Sequence, residues 1–199
     1  MLSQNEFKAL NFLVRRPRER YSINELARQL DITPKGMHKL LKRLEEQAIV
    51  KQQRLANAVY YEINFASNKA CKIAEFALIE DAKTPYVRMQ VKDLERLHSL
   101  AEAVILFGSV LKKGEKANDI DILVILKKNQ YKRFNEGLKE LQSLKTKQIH
   151  TVLQTPEEIR ANLKKADPVI EAAIKEGYVI WGQEIIVQTI KEVKQNDSL

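Results

Sequence analysis

The tightest constraint on this chain is one stretch, ILFGSVLKKGEKANDIDILVIL, running from Ile105 to Leu126. It holds two apolar runs of strand length; the first closes on Gly108-Ser109, and the second carries Asp119 and Asp121 on alternate residues. Side chains two apart on a strand share a face. Asp119 and Asp121 therefore leave one face of a sheet while Ile120 and Ile122 enter the other. Two carboxylates this close repel each other unless a positive charge lies between them, and a hard divalent cation with oxygen ligands meets that need. At the end of the neighbouring run, Gly108 has no side chain to keep a phosphate away from the backbone. The pattern predicts a site for a metal-bound nucleotide, with Asp119 and Asp121 on the metal and Gly108 and Ser109 on the phosphates.

An apolar strand, Gly-Ser, nine residues from Val110 to Asn118, and Asp-x-Asp inside a second apolar strand together resemble the nucleotidyltransferase superfamily of DNA polymerase β. Within it the chain is similar to the minimal nucleotidyltransferases of archaea and bacteria, over about residues 101–182. Asp-x-Asp alone would suit an ordinary solvated strand edge; the Gly-Ser turn and both apolar flanks set this one apart. The resemblance implies that Asp119 and Asp121 are catalytic and hold Mg2+ (or Mn2+) against the triphosphate of an NTP, while Gly108 and Ser109 clasp the phosphates. It implies transfer of a nucleoside monophosphate to an acceptor hydroxyl with pyrophosphate leaving. The family also places a third carboxylate on the strand after the Asp-x-Asp hairpin and its helix. Here that strand is QIHTVLQ, His150 stands at the aligned position, and no Asp or Glu occurs from Leu141 to Pro156. Imidazole is a poor ligand for Mg2+. Glu157 and Glu158, at the start of the next helix, would have to reach back to the site.

The first third of the chain reads differently. Phe7, Leu10, Leu13 and Val14 recur at helical spacing until Pro17. Ser22 and Glu25 form a capping box before Ile23, Leu26, Ala27 and Leu30. Thr33 and Pro34 then start a third helix with Met37, Leu40, Leu41, Leu44 and Ala48 on its core face. Two helices joined by so short a turn have helix-turn-helix geometry. Residues 49–54 and 59–64 read as strands of a hairpin turning at Leu55-Ala56-Asn57-Ala58. Three helices and a hairpin resemble the winged helix-turn-helix domains of bacterial and archaeal regulators, over about residues 3–65. The outer face of the third helix offers Lys35, His38, Lys39, Lys42 and Arg43 to duplex DNA, and the hairpin offers Arg54 and Lys51 to phosphate. Such domains also serve as protein-interaction modules, and a basic helix face is often only solvated.

Charge distribution agrees with two tasks. The formal net charge is +8, and residues 1–64 hold twelve Lys or Arg against seven Asp or Glu. A basic surplus attracts polyanions. No apolar run approaches the roughly 20 residues of a membrane span, Arg15 and Arg16 break any signal-peptide pattern, and the chain reads as cytoplasmic. One cysteine, Cys71, and three histidines form no zinc-ligand pattern, so Cys71 reads as helix packing.

The expected class is α+β: an N-terminal winged helix-turn-helix over residues 1–65, connecting helices over 66–100, and a small mixed-sheet nucleotidyltransferase domain flanked by helices over 101–199. A helix over 65–82 either links the domains or pairs with its copy in a homodimer, and a second runs from Val87 to Ala101 with His98 on its border. Past the central stretch, helices are expected at 131–144, after Thr155 and after Pro168, strands at 148–154 and 178–181, and a last helix from Gln183 fraying at 194–199. Two functions fit. One is a nucleotidyltransferase coupled to a DNA-binding winged helix; the family resemblance adds a helical partner protein of a toxin-antitoxin pair. The alternative is a DNA-binding transcriptional regulator whose transferase-like domain is inactive and serves nucleotide sensing or dimerisation.

Overall fold

Helices begin where the side chains can take over the unpaired amides of the first turn. Ser3 and Ser22 do so by the same reciprocal device: each hydroxyl accepts the amide three residues on, and Glu6 or Glu25 accepts the serine amide in return. Thr33 accepts the Gly36 amide at 3.2 Å, with Pro34 at the first helical position. The computed structural model describes residues 2–196. Among them, ten α-helices and two small sheets make an α+β protein whose contacts divide it into two units, residues 2–78 with 194–196 and Ile79–Val193.

The first unit contains α1 (Gln4–Val14), α2 (Ile23–Leu30), α3 (Pro34–Glu46), β1 (Val50–Leu55), β2 (Ala58–Ile63) and α4 (Asn68–Ala77). Asp31 closes α2 in the left-handed conformation, φ 54°, so only three residues separate α2 from α3. β1 and β2 pair antiparallel from Val50↔Ile63 to Leu55↔Ala58, and Tyr21 adds a single bridge to Tyr61. Leu10, Val14, Leu26, Met37, Leu41, Leu44, Ile49 and Ile63 form the buried interior. Ala48 is not among them: it lies beyond the end of α3 at φ 55° and is exposed. The helix expected over 65–82 is shorter, because Leu78 already closes it; its buried face is Ala70, Ala74 and Ala77, and it packs on α1, where the Asn11 amide donates to the Ala77 carbonyl at 2.7 Å. Cys71 is half-buried on that helix.

In the second unit come α5 (Pro85–Leu94), β3 (Ala103–Phe107), α6 (Ser109–Lys113), β4 (Asp119–Ile125), α7 (Tyr131–Ser143), β5 (Gln148–Gln154), α8 (Pro156–Lys164), α9 (Pro168–Glu176), β6 (Tyr178–Trp181) and α10 (Gln183–Asn196), the last crossing the boundary between the two groups of contacts. The helix expected to reach Ala101 is α-helical only to Leu94 and tightens to 3-10 geometry over Glu95–Leu100. The segment after Gly108 is not open loop but one helical turn, α6, then a 3-10 turn at Gly114–Lys116. α10 remains helical through the first residues of the expected frayed tail; 197–199 lie outside the described residues.

Sheet order is β5-β4-β3-β6, with β3 antiparallel to both β4 and β6, and β5 parallel to β4. α7 supplies the crossover that a parallel pair requires. One face of β4, Ile120, Ile122 and Val124, joins Leu94, Leu97, Phe134, Leu141 and Ile149 in a single core. On the other face Leu123 and Ile125 are buried and Asp119 and Asp121 only half-buried, so that face is apolar at one end and polar at the other. No helix among the described residues is long and apolar enough to cross a membrane.

Sequence patterning did not reveal Glu6, which is 2% exposed and bonded to Arg43 through Nε at 2.7 Å and Nη2 at 2.6 Å. Burial pushes the Glu6 carboxyl up, but the Ser3 amide, the Arg43 guanidinium and the Ser3 hydroxyl outweigh it and hold the group below its ordinary value. Glu6→Ala is expected to lower the unfolding free energy in urea by about 1.5–3 kcal/mol, the scale of hydrogen bonds to a charged group. Because the folded pKa is depressed, that contribution is complete above the ordinary value of 4.5 and is lost as pH falls through the folded value. Denaturation curves of wild type and variant should therefore converge in acid.

Candidate functional site

Asp121 sits opposite Phe107, the last residue of β3, and beside His150 on β5. Paired residues on neighbouring strands share a face, so Asp119, Asp121 and His150 emerge together. Gly108 follows Phe107 with φ 79° and ψ −152°, a conformation open mainly to glycine. A Cβ there would lie 2.4 Å from Asp121 Oδ2. The backbone shape thus favours glycine, and a side chain here would have to displace the carboxylate. Ser109 begins α6 immediately after it and is half-buried.

His150 Nδ1 lies 3.6 Å from Asp119 Oδ2 and 3.6 Å from Asp121 Oδ1. The side chains are 57% exposed for His150, 34% for Asp119 and 27% for Asp121, so solvent reaches the group and the two acids are only partly screened from each other. Burial, then the charge of Asp119, pushes the Asp121 carboxyl above its ordinary value, and His150 offsets part of that. A carboxylate raised by a like charge is one that a cation would stabilise. One potential ligand atom from each of the three residues lies within 4.8 Å of the others. This donor set suits one divalent cation. It does not suit a carboxylate-only pair of Mg2+ sites, since the third place holds an imidazole.

Glu157 and Glu158 do not complete the set. Glu158 accepts the Thr155 amide at 2.8 Å as the cap of α8, and Glu157 pairs with Arg160 at 3.1 Å. His98 is exposed, with its ring tilted against Trp181 at 5.2 Å, and takes no part in the cluster.

In the first unit, Lys35, His38, Lys39 and Lys42 are exposed on α3 at the i, i+3, i+4, i+7 spacing of one helix face. Arg43 is exposed on the same helix, with its guanidinium turned to Glu6. On the hairpin Arg54 is exposed, while Lys51 pairs with Glu62 across the strands at 3.1 Å. The one residue here with a readable signal that patterning left aside is Glu6: Ser3 and Glu6 carry the same Ser-x-x-Glu spacing as Ser22 and Glu25.

No curated protein matches the chain. Among solved structures, a mutant of Lactococcus lactis ZitR aligns with 72% of this chain and 75% of its own, at 18% identity and a TM-score of 0.33, a likeness too slight to carry an argument. Residues 90–185, which contain the whole four-stranded sheet together with Gly108, Ser109, Asp119, Asp121 and His150, match the family model described as Polymerase beta, Nucleotidyltransferase.

Proposed function

We propose that the second unit binds a nucleoside triphosphate as its divalent-cation complex and transfers the nucleoside monophosphate to an acceptor hydroxyl, and that the first unit is a winged helix-turn-helix that holds duplex DNA. The observation that carries the first half is the 2.4 Å closeness of a Gly108 Cβ position to Asp121 Oδ2, which supports a phosphate turn and a cation ligand built as one unit. Asp119 and Asp121 are the cation ligands, and Gly108 and Ser109 receive phosphate through backbone and hydroxyl donors. The acceptor oxygen forms a bond to the α-phosphorus while the bond to the α–β bridging oxygen breaks; pyrophosphate leaves and the acceptor proton passes to solvent. A bound cation would neutralise charge on the phosphate oxygens.

DNA binding rests on the exposed basic row of α3 and on the hairpin that follows it. In that role Lys35, His38, Lys39 and Lys42 face the groove or its phosphates, Arg54 touches phosphate from the hairpin, and Arg43 chiefly braces α3 against Glu6. A second reading is favoured by His150 at the third-ligand place: a DNA-binding regulator whose domain binds nucleotide without transferring it.

Labelled ATP, CTP, GTP and UTP, each supplied with a divalent cation and candidate acceptors, separate these readings. Transfer that Asp119→Ala/Asp121→Ala abolishes supports the transferase; nucleotide retained without transfer supports the regulator; label moving unchanged in the double variant sinks the site assignment. Gly108→Ala should reduce nucleotide retention to the level of the aspartate double variant, since its methyl must displace Asp121; retention at the wild-type level would refute the shared cradle. Against duplex DNA, Lys39→Ala and Lys42→Ala should each weaken binding and flatten its log-log salt dependence by about 0.9. Fluorescence anisotropy across a salt series measures this, and slopes equal to wild type would remove both lysines from the interface.

A further inference from the structure

The donor set on β4 and β5 has a chemical consequence for which cation it takes. His150 reaches the carboxylates through the parallel register Asp121↔His150, on the same sheet face. Its Nδ1 is equidistant from Asp119 Oδ2 and Asp121 Oδ1, at 3.6 Å from each. That separation exceeds a good hydrogen bond. It is shorter than two metal–ligand bonds of about 2.1 Å each, so a single ion can touch imidazole and carboxylate together.

Mg2+ prefers an all-oxygen octahedron and gives up water reluctantly, whereas imidazole nitrogen favours Zn2+, Cu2+, Fe2+ and Ni2+. We propose that Asp119, Asp121 and His150 together hold one first-row transition cation of the Zn2+ class, and that His150 is the residue that turns the site away from Mg2+. The inference takes from the reading above only that the two aspartates hold a cation. It replaces the expected carboxylate-only arrangement with a mixed one: two oxygens anchor the ion and one nitrogen selects it. Neither Glu157 nor Glu158 competes for that third place, since one is paired with Arg160 and the other caps α8. His150 is more than half exposed on an edge strand, so its replacement leaves the core untouched.

The test is calorimetric titration of the full chain, stripped with chelator and free of nucleotide, with ZnCl2, MnCl2 and MgCl2 in turn. Electron paramagnetic resonance of Mn2+, a cation suited to oxygen ligands, gives a comparison. Because Zn2+ binds most sites more tightly than Mg2+, the decisive quantity is how the ratio of affinities changes with residue 150. His150→Ala should weaken Zn2+ by at least about tenfold, the low end of what lost supporting contacts to a metal ligand already cause, and leave Mg2+ within about twofold. His150→Asp should raise Mg2+ affinity and narrow the ratio, and Asp119→Ala/Asp121→Ala should abolish binding of all three ions. A Zn2+ affinity unchanged in His150→Ala, or a Mg2+ affinity that falls in parallel with it, would overturn the proposal. Labelled nucleotide added afterwards keeps the two ideas separate. A His150-dependent ion with no nucleotide retained defeats the transferase and nucleotide-sensing readings alone; nucleotide retained with Mg2+ and indifferent to His150 defeats the cation assignment alone.

Discussion

The register of β4 against its two neighbours is the constraint on which the site depends. β4 runs antiparallel to β3 and parallel to β5, and the two pairings meet at Asp121, opposite Phe107 on one side and His150 on the other. A slip of one residue on either side would turn the acids to the opposite face. What prevents it is the apolar set of β4: Ile120, Ile122 and Val124 are committed to one core, and Leu123 and Ile125 are buried on the reverse. Precision at the polar end of the strand is thus paid for by packing at the apolar end.

The first unit depends on a different interaction. Glu6 ties the start of α1 to the outer half of α3 through Arg43 while also serving as the cap of its own helix. A buried carboxylate is costly unless its oxygens are satisfied, and here the Ser3 amide, the Ser3 hydroxyl and the guanidinium satisfy them. One side chain therefore sets both where α1 begins and how α3 is held relative to it.

Much of this was legible in the residue pattern. Alternation in DIDILVIL located β4 and the outward acids, and the Gly-Ser turn located the end of β3. Helical spacing located α1, α2, α3 and α7, and the caps at Ser22, Thr33 and Thr155 marked helix starts where the structure has them. Spacing was less informative where local geometry, not periodicity, decided. Ala48 continues the apolar pattern of α3, yet the chain has left the helix and turned through a positive φ. The expected long helices at 65–82 and 87–101 end early for the same kind of reason, at Ala77 and at the 3-10 turn from Glu95. His150 could be placed on its strand from the sequence, but its place beside Asp121 arises from the parallel pairing of β5 with β4, which no local pattern encodes.

Strand order gives the three polar residues unequal freedom. Asp119 and Asp121 stand on an interior strand with neighbours on both sides, while His150 stands on β5, at the margin of the sheet, with solvent over much of its ring. Exchanges at such exposed positions commonly change stability by no more than about 0.5 kcal/mol. The margin is therefore an adjustable position: a lineage, or an engineer, can exchange the residue there and alter the donor set of the cluster while the scaffold that presents it remains as it was.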